Sequence, residues 1–520
     1  MRSSILRTVR VWFSLVVLLV TASLFIDIRH LIPEKVISSV LCLQFIPSAN
    51  KFINAGAAAA GFIIVIVLTV IAGRLYCSFL CPLGIIQDVS SRFGGMIRRK
   101  FRRFGYRRPY TVLRYSVLAV TLAVTILWGL TLLVMLDPYS IFGRLMTYFG
   151  KPVIMLINNL LAGIFGKFDI YTFVHAPVNL FPLPAYIIPL LFLFLVGFLS
   201  FVHGRLFCNT VCPVGTFLGL LSKVSLIRIK FDDSKCTKCG RCAVACKSSC
   251  IDFLNREVDN TRCVDCFNCI KSCPDKAMSF GPVSFRKKTK AEESTDNSRR
   301  KSVMSLLFFL TGAGILSGQN KNAPVPKKAS TVRERKTSNI CPPGSVSINN
   351  FTRNCTACSL CVSACPNNVL VPSYREFGIS SVMQPYMDFH RGFCAYECTR
   401  CLEICPTGAL MPLAIEAKKL TQIGKAVFIK ENCIVNTEHT ACGACAEACP
   451  TKAVHMIPFE GHLVIPETND EICIGCGHCE NACPMTPYKA IFINGNPVHK
   501  AARKPVNVQT DLKKPEEFPF

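Results

Sequence analysis

Six cysteine quartets with nearly the same internal spacing constrain this chain more than any other feature. Cys-x2-Cys-x2-Cys-x3-Cys occurs at Cys236, Cys239, Cys242 and Cys246, at Cys263, Cys266, Cys269 and Cys273, at Cys355, Cys358, Cys361 and Cys365, and at Cys473, Cys476, Cys479 and Cys483. Two stretched versions complete the set: Cys394, Cys398, Cys401, Cys405, and Cys433, Cys442, Cys445, Cys449. Five of the six end in Cys-Pro. Three thiols so closely spaced wrap three corners of a cubane in one tight loop, while the fourth, at a helix start, ligates the other cluster of a pair. Zinc ribbons instead set two Cys-x2-Cys hairpins far apart. The pattern therefore points to six [4Fe-4S] clusters. The Cys394, Cys398, Cys401 triplet alone also matches radical S-adenosylmethionine enzymes. Cys405-Pro406 follows it and no barrel-length sequence surrounds it, which returns it to the ferredoxin reading. No Cys-x2-Cys-His occurs and the apolar runs lack paired internal histidines, so neither c-type nor transmembrane b-type haem is expected.

The quartets use 24 of the 31 cysteines in 520 residues. The rest of the chain explains why 51% of it is hydrophobic and only 18% charged. Uncharged runs of 16, 22, 22 and 27 residues lie between Arg10 and Asp27, Lys51 and Arg74, Arg114 and Asp137, and His175 and His203. A span needs about 17 to 25 apolar residues, so each run is expected to cross a membrane, the first by taking in Asp27 and Ile28. No small-x-small cleavage site follows the first run, which reads as an uncleaved anchor. Residues 302–320 form a shorter, glycine-containing run, expected as a fifth span.

The formal charge is +27, and its placement is topological. Nine Lys and Arg fall between Arg92 and Arg114, against three each in 29–54 and 137–183. Because such residues collect on the cytoplasmic side of short loops, the amino terminus and the first two quartets are expected in the cytoplasm, with 29–54 and 137–183 as outward loops. No nucleic-acid fold signature accompanies the basic stretch, and a loop between spans suits phospholipid headgroups. No nucleic-acid partner is expected.

The second and fourth runs end alike, in GRLYCSFLCPLG from Gly73 and GRLFCNTVCPVG from Gly204. This internal duplication yields two Cys-x3-Cys-Pro pairs, Cys77 and Cys81, Cys208 and Cys212. Cysteines at i and i+4 share a helical face, so pseudo-symmetry could bring four thiols together as a metal or cluster site or as redox-active thiols. Packing of small apolar residues at helix ends is the plainer alternative. Cys42, Cys250 and Cys341 remain.

Residues 281–300 and 319–339 are polar linkers, and Ser298-Arg299-Arg300-Lys301 before the fifth run reads as a twin-arginine export address, although Ser302 stands where that pattern usually has Phe. The expected fold class is a membrane all-α protein, a four-helix transmembrane core plus a fifth span, carrying two α+β ferredoxin-like [4Fe-4S] modules. The expected divisions are 1–225 membrane, 226–282 two-cluster domain, 283–340 linker, 341–500 four-cluster domain and 501–520 tail.

The paired membrane motifs followed by ferredoxin quartets resemble the NapH/NapG-type quinol dehydrogenase electron-transfer proteins, part of the NapH/NosR-like polyferredoxin family. Residues 1 to about 285 resemble NapH, and about 296 to 500 resemble NapG. This resemblance implies a natural fusion in a bacterial inner membrane. It implies menaquinol as substrate and electron delivery to a periplasmic reductase, typically nitrate reductase through a c-type cytochrome, with the four-cluster domain periplasmic. The chain departs from the pattern at Lys247, where Pro usually follows the fourth cysteine, and at Cys250, which rivals Cys246 as ligand. By exchange of fourth ligands, Cys273 joins Cys236, Cys239 and Cys242, and Cys246 joins Cys263, Cys266 and Cys269. Similarity to four-cluster subunits suggests that the outer motifs of the second module exchange, with Cys483 on the first triplet and Cys365 on the last, and that the inner motifs exchange Cys449 and Cys405.

Quinol oxidation needs a proton acceptor, for which His203 and Asp88 are candidates. The competing class is a maturation factor supplying electrons or reduced metal to a periplasmic metalloenzyme. A conduit fed by a cytosolic ferredoxin is a further alternative.

Overall fold

The computed structural model describes residues 2–27, 32–55, 61–97, 104–169, 172–178, 180–282, 332–374, 376–378 and 381–504. The run at 302–320, the Arg299-Arg300 pair and residues 505–520 lie outside them.

The first part is helical: α1 (Arg2–Ile26), α2 (Glu34–Cys42), α3 (Phe45–Ala55), α4 (Gly61–Ala72), α5 (Tyr76–Phe79), α6 (Pro82–Ile97), α7 (Thr111–Trp128), α8 (Thr131–Leu136), α9 (Pro138–Leu145), α10 (Lys151–Gly166), α11 (Pro184–His203), α12 (Leu206–Thr210) and α13 (Pro213–Leu221). Among the described residues three helices are long and apolar enough to cross a membrane: Ile5–Ile26, Pro138–Gly166 and Pro184–His203. A fourth candidate is the pair Lys35–Cys42 and Phe45–Ile53, bent by 99°. Exposed Trp12, Val16, Leu19, Leu156, Phe194 and Phe198 give the three long helices the apolar outer surface that lipid requires.

This differs from the sequence expectation in four places. The third run, expected as a span, breaks at Gly129 between α7 and α8 and holds only the shorter apolar helix Thr111–Leu127, and the expected outward loop 29–54 holds the bent pair. The described helix of the second run, α4, has 12 residues, about 18 Å at 1.5 Å per residue, and ends where Gly73 turns at φ +75°. The expected outward loop 137–183 instead contains the 29-residue helix Pro138–Gly166, continuous through a π turn at Met146–Gly150. Asp137 caps it by accepting from Ser140 N at 2.9 Å, with Pro138 in the first turn. Its two cations do not break it because each finds carbonyls. Arg144 donates to Val134 O and Met135 O at 3.1 Å, and Lys151 donates to Ser363 O.

The first ferredoxin module pairs β1 (Ile227–Phe231), β2 (Ile251–Asp252), β3 (Glu257–Val258) and β4 (Met278–Pro282) as antiparallel β1–β4 and β2–β3. Its helices α14 (Arg241–Ala245) and α15 (Asn268–Ser272) each end at the fourth cysteine of a quartet, Cys246 and Cys273, where the spacing was expected to start one. The second module has strands β5 (Leu370–Pro372), β6 (Pro385–Met387), β7 (Thr421–Phe428), β8 (Val454–Pro458), β9 (Val464–Thr468) and β10 (Ile491–Ala501), paired β5–β6, β8–β9 and β7–β10. Residues 332–340 belong to its packing: Val332 N donates to Asn432 Oδ1 and Lys336 pairs with Glu480.

The two modules sit at opposite ends of α1. Arg7 Nε donates to Asn268 Oδ1 of the first module at 3.0 Å, and the Phe25 carbonyl accepts from Ser363 of the second. These residues lie about 27 Å apart along an ideal helix. Asn50 donates to Asn354 O at 2.7 Å and Thr147 to Ser359 O at 3.3 Å, fixing the second module further.

Candidate metal centres

Each ferredoxin loop sets its first thiols before a short helix that carries the third, and a fourth lies among their neighbours. Cys273 is the distant thiol neighbouring Cys242, and Cys246 the one neighbouring Cys266 and Cys269. The Cys250 sulfur lies 3.5 Å from that of Cys246. Cys250 also hydrogen-bonds Cys263, so Cys246 and Cys250 both stand beside the second triplet.

In the second module the expected exchange is overturned. Cys405 is the neighbour of Cys355, Cys358 and Cys361, and Cys365 lines one cavity with Cys394, Cys398 and Cys401. Cys483 lines another with Cys433, Cys442 and Cys445, and Cys449 is the neighbour of Cys473, Cys476 and Cys479. Neighbouring motifs exchange ligands, first with second and third with fourth. The physical reason is local: each pair of consecutive loops packs its two short helices against each other, so a fourth cysteine reaches the adjacent loop.

These quartets fit iron–sulfur clusters. Backbone N–H groups donate to the sulfurs of Cys273, Cys449, Cys405 and Cys483 at 3.2–3.4 Å, the outer bonds that stabilise cluster thiolates. Burial pushes Cys445 and Cys476 up to about 12, so the thiolate form depends on the charge of a bound metal.

The four membrane-motif cysteines converge. Cys77, Cys81, Cys208 and Cys212 are all buried and act on one another electrostatically. The two repeats are tied reciprocally. Arg74 donates to Cys208 O at 3.2 Å, and Arg205 donates to Cys77 O. Gly84 N donates to Cys81 Sγ at 3.4 Å and Gly215 N to Cys212 Sγ at 3.3 Å. Gly73 and Gly204 turn with φ +75° and +72°, and each turn seats part of the first module. A Cβ on Gly73 would strike Asp265, and one on Gly204 the Lys247 carbonyl. That carbonyl accepts from Arg205 N at 3.0 Å, which gives the unusual Lys247 a docking role. One apolar cluster holds Cys266 of the first module, Cys77, Cys81 and Cys212, and Cys358 of the second. Between quartet and second module stand buried Tyr76 and Tyr139, the latter with Tyr76, Cys358 and Cys405 among its electrostatic neighbours.

Onward, Cys401 neighbours Cys361, Cys394 N donates to Cys476 O at 2.9 Å, and Cys445 neighbours Cys479. The six quartets and the membrane quartet thus form one unbranched series.

Asp88 is occupied differently from its expected role. Its carboxylate pairs with Arg10, with Arg205 at 2.9 Å and with Lys247 at 3.4 Å; a carboxylate facing three cations holds them together rather than taking a proton. His203 lines a cleft with Arg107, Tyr110, Asn209, Ser248 and Arg262 at the edge of the first module. Cys42 donates to Ser39 O at 3.0 Å, and Cys341 packs beside Cys355; neither joins a quartet. Arg74, Arg205, Tyr76 and Tyr139 were not singled out from the sequence, although the Gly-Arg-Leu of each repeat carried the signal for the two arginines.

Apolar outer helices, ferredoxin loops and a thiol series define an iron–sulfur electron-transfer protein of the polyferredoxin class, with helices suited to a membrane. A model described as a 4Fe-4S binding domain matches residues 54–103 and 184–232, once over each repeat, and models described as 4Fe-4S dicluster domains match 354–409 and 440–487. The methylamine utilization ferredoxin-type protein MauM of Methylophilus methylotrophus is 30% identical over 203 residues, 38% of this chain and 86% of that protein. The ferredoxin-type protein NapG of Escherichia coli (strain K12) is 33% identical over 171 residues, 30% of this chain and 69% of NapG. NapF of the same strain is 29% identical over 168 residues, covering 32% and 93%. No solved structure matches. The chain belongs to the NapG/MauM family of ferredoxin-type proteins.

Proposed function

We propose that this protein oxidises menaquinol in a bacterial inner membrane and conducts the electrons through six [4Fe-4S] clusters to a periplasmic reductase, of the nitrate-reducing kind, through a c-type cytochrome. The observation that carries this reading is the position of the two ferredoxin modules at opposite ends of α1 with the buried cysteine quartet between them. The candidate spans Ile5–Ile26, Pro138–Gly166 and Pro184–His203 hold them.

The first module is the cytoplasmic one. It packs against the basic loop, where Arg262 donates to Arg107 O at 2.8 Å and Arg107 N donates to Ser249 O, and that loop is the side the charge bias assigns to the cytoplasm. Bound clusters supply one-electron redox centres. The chain's own residues fix their spacing, exclude water from the thiols by burial, and set potentials by N–H···S bonds. Of the two expected proton acceptors, His203 is the better placed: it ends a long apolar helix, beside a cleft at the module edge.

The test is anaerobic purification in detergent, addition of a menaquinol analogue, and electron paramagnetic resonance of the clusters. Reduction of the clusters by quinol, lost for the second module in Cys77→Ser/Cys208→Ser, is the expected result. Clusters that dithionite reduces and quinol does not would place electron entry elsewhere and move a soluble donor or a maturation role to the front.

A further inference from the structure

The membrane-motif cysteines stand in a buried region with too much positive charge for neutral thiols. Arg74 and Arg205 are fully buried, Arg10 is 3% exposed and the Lys247 side chain 16%. Two buried carboxylates stand against these four cations: Asp88 pairs with Arg10, Arg205 and Lys247, and Asp265 has Arg74 as its neighbour. Arg74 makes its bonds to neutral acceptors, Asn209 Oδ1 at 2.8 Å, Thr261 O at 3.0 Å and Cys208 O at 3.2 Å, with Cys77 Sγ at 3.7 Å. Further out, Arg114 and Arg262 share Asp259, which adds to the excess. Uncompensated charge in an apolar interior is costly, so an anion belongs at this place. Four thiolates around an oxidised iron–sulfur core form a dianion.

Two further observations agree. Cys81 and Cys212 accept backbone N–H bonds at 3.4 and 3.3 Å, the same contact that the ferredoxin cysteines Cys273 and Cys449 receive at 3.2 Å. Each repeat has only two cysteines, so neither holds a four-cysteine centre alone; the reciprocal arginine bonds bring the pairs together.

We infer that Cys77, Cys81, Cys208 and Cys212 jointly hold one anionic iron–sulfur centre between the two ferredoxin modules, with Arg74 and Arg205 as its counter-charges. Its role in electron flow rests on the conduit reading above; its existence does not. The oxidised centre takes one electron from one module and yields it to the other, with no bond made or broken and no proton moved. The shared ligand chemistry admits a two-iron or a four-iron core, which iron counting separates.

The test uses the full chain purified anaerobically in detergent. Iron and acid-labile sulfide per chain are measured with low-temperature electron paramagnetic resonance during stepwise reduction, in the wild type, in Cys77→Ser/Cys208→Ser and in the milder Cys81→Ser. The expected result is iron and sulfide beyond what six cubanes account for, and loss of that increment with one signal in the variants. A wild type without the increment overturns the inference, as do variants that retain it or a quartet that yields zinc without sulfide. If the variants fail to fold, the wild-type count decides alone. An increment present in a protein whose clusters ignore quinol would leave the centre standing and remove quinol oxidation; quinol reduction without the increment would do the reverse.

Discussion

The guanidinium of Arg74 donates to the carbonyl of Cys208 at 3.2 Å, tying the first membrane repeat to the second across their pseudo-symmetry. Arg205 returns the bond to Cys77. Arg74→Gln removes a buried charge and part of that tie. The expected outcome is a destabilisation of about 3–5 kcal/mol and a more negative midpoint potential for the quartet. Arg74→Lys recovers the charge without the planar fork and restores the potential more than the stability. Redox titration and thermal unfolding in detergent check both.

Gly84 and Gly215 occupy equivalent places after the two Cys-x3-Cys-Pro motifs. A Cβ at Gly84 would lie 2.5 Å from Cys77 O, and one at Gly215 2.3 Å from Cys208 O. Backbone cannot yield as a side chain does, so Gly84→Ala and Gly215→Ala should each cost about 1–3 kcal/mol. Gly163, with nothing within 4 Å, is the control: Gly163→Ala in α10 should be neutral or stabilising by up to about 1 kcal/mol.

Cys405 and Cys483 separate the two exchange patterns. Cys405→Ser should remove the cluster of Cys355, Cys358 and Cys361, next to the membrane helices, and so interrupt electron passage to all clusters beyond it. Cys483→Ser should remove only the far cluster of Cys433, Cys442 and Cys445, leaving quinol reduction of the others intact. Stepwise reduction followed by paramagnetic resonance distinguishes them.

His499 makes the second module sensitive to acid. Burial pushes its imidazole down to about 4 from an ordinary 6.5, so below pH 6.5 the unfolded chain binds a proton that the folded one refuses. Its contribution is intact above pH 6.5 and is lost progressively as the pH falls toward 4, reaching at most about 2 kcal/mol at pH 5. His499→Gln should lose less stability than wild type between pH 7 and 5 in urea unfolding; equal losses would contradict this.

The cluster ligands were legible because their chemistry is local: in four of the six quartets three thiols fall within seven residues and need no tertiary information. Which fourth cysteine serves which loop was not, since Cys405 and Cys483 both precede proline and only helix packing chooses between them. The helix Pro138–Gly166 was hidden because Arg144 and Lys151 interrupt its apolar run, and the carbonyls that absorb them, Val134, Met135 and Ser363, lie nine or more residues away. Asp88 looked available in the sequence because its three cations come from α1, the second repeat and the end of the first quartet. The reciprocal arginines were visible as a repeated Gly-Arg-Leu, but their partners across the symmetry were not.

The central claim is that electrons pass between the two ferredoxin modules across a membrane by way of the cysteine quartet. The most direct measurement places the full chain in sealed proteoliposomes, with ferricyanide trapped inside and dithionite outside. The account predicts protein-dependent reduction of the trapped ferricyanide, abolished by Cys77→Ser/Cys208→Ser in a variant that retains its ferredoxin clusters. No protein-dependent reduction, or reduction at the same rate in that variant, would contradict it.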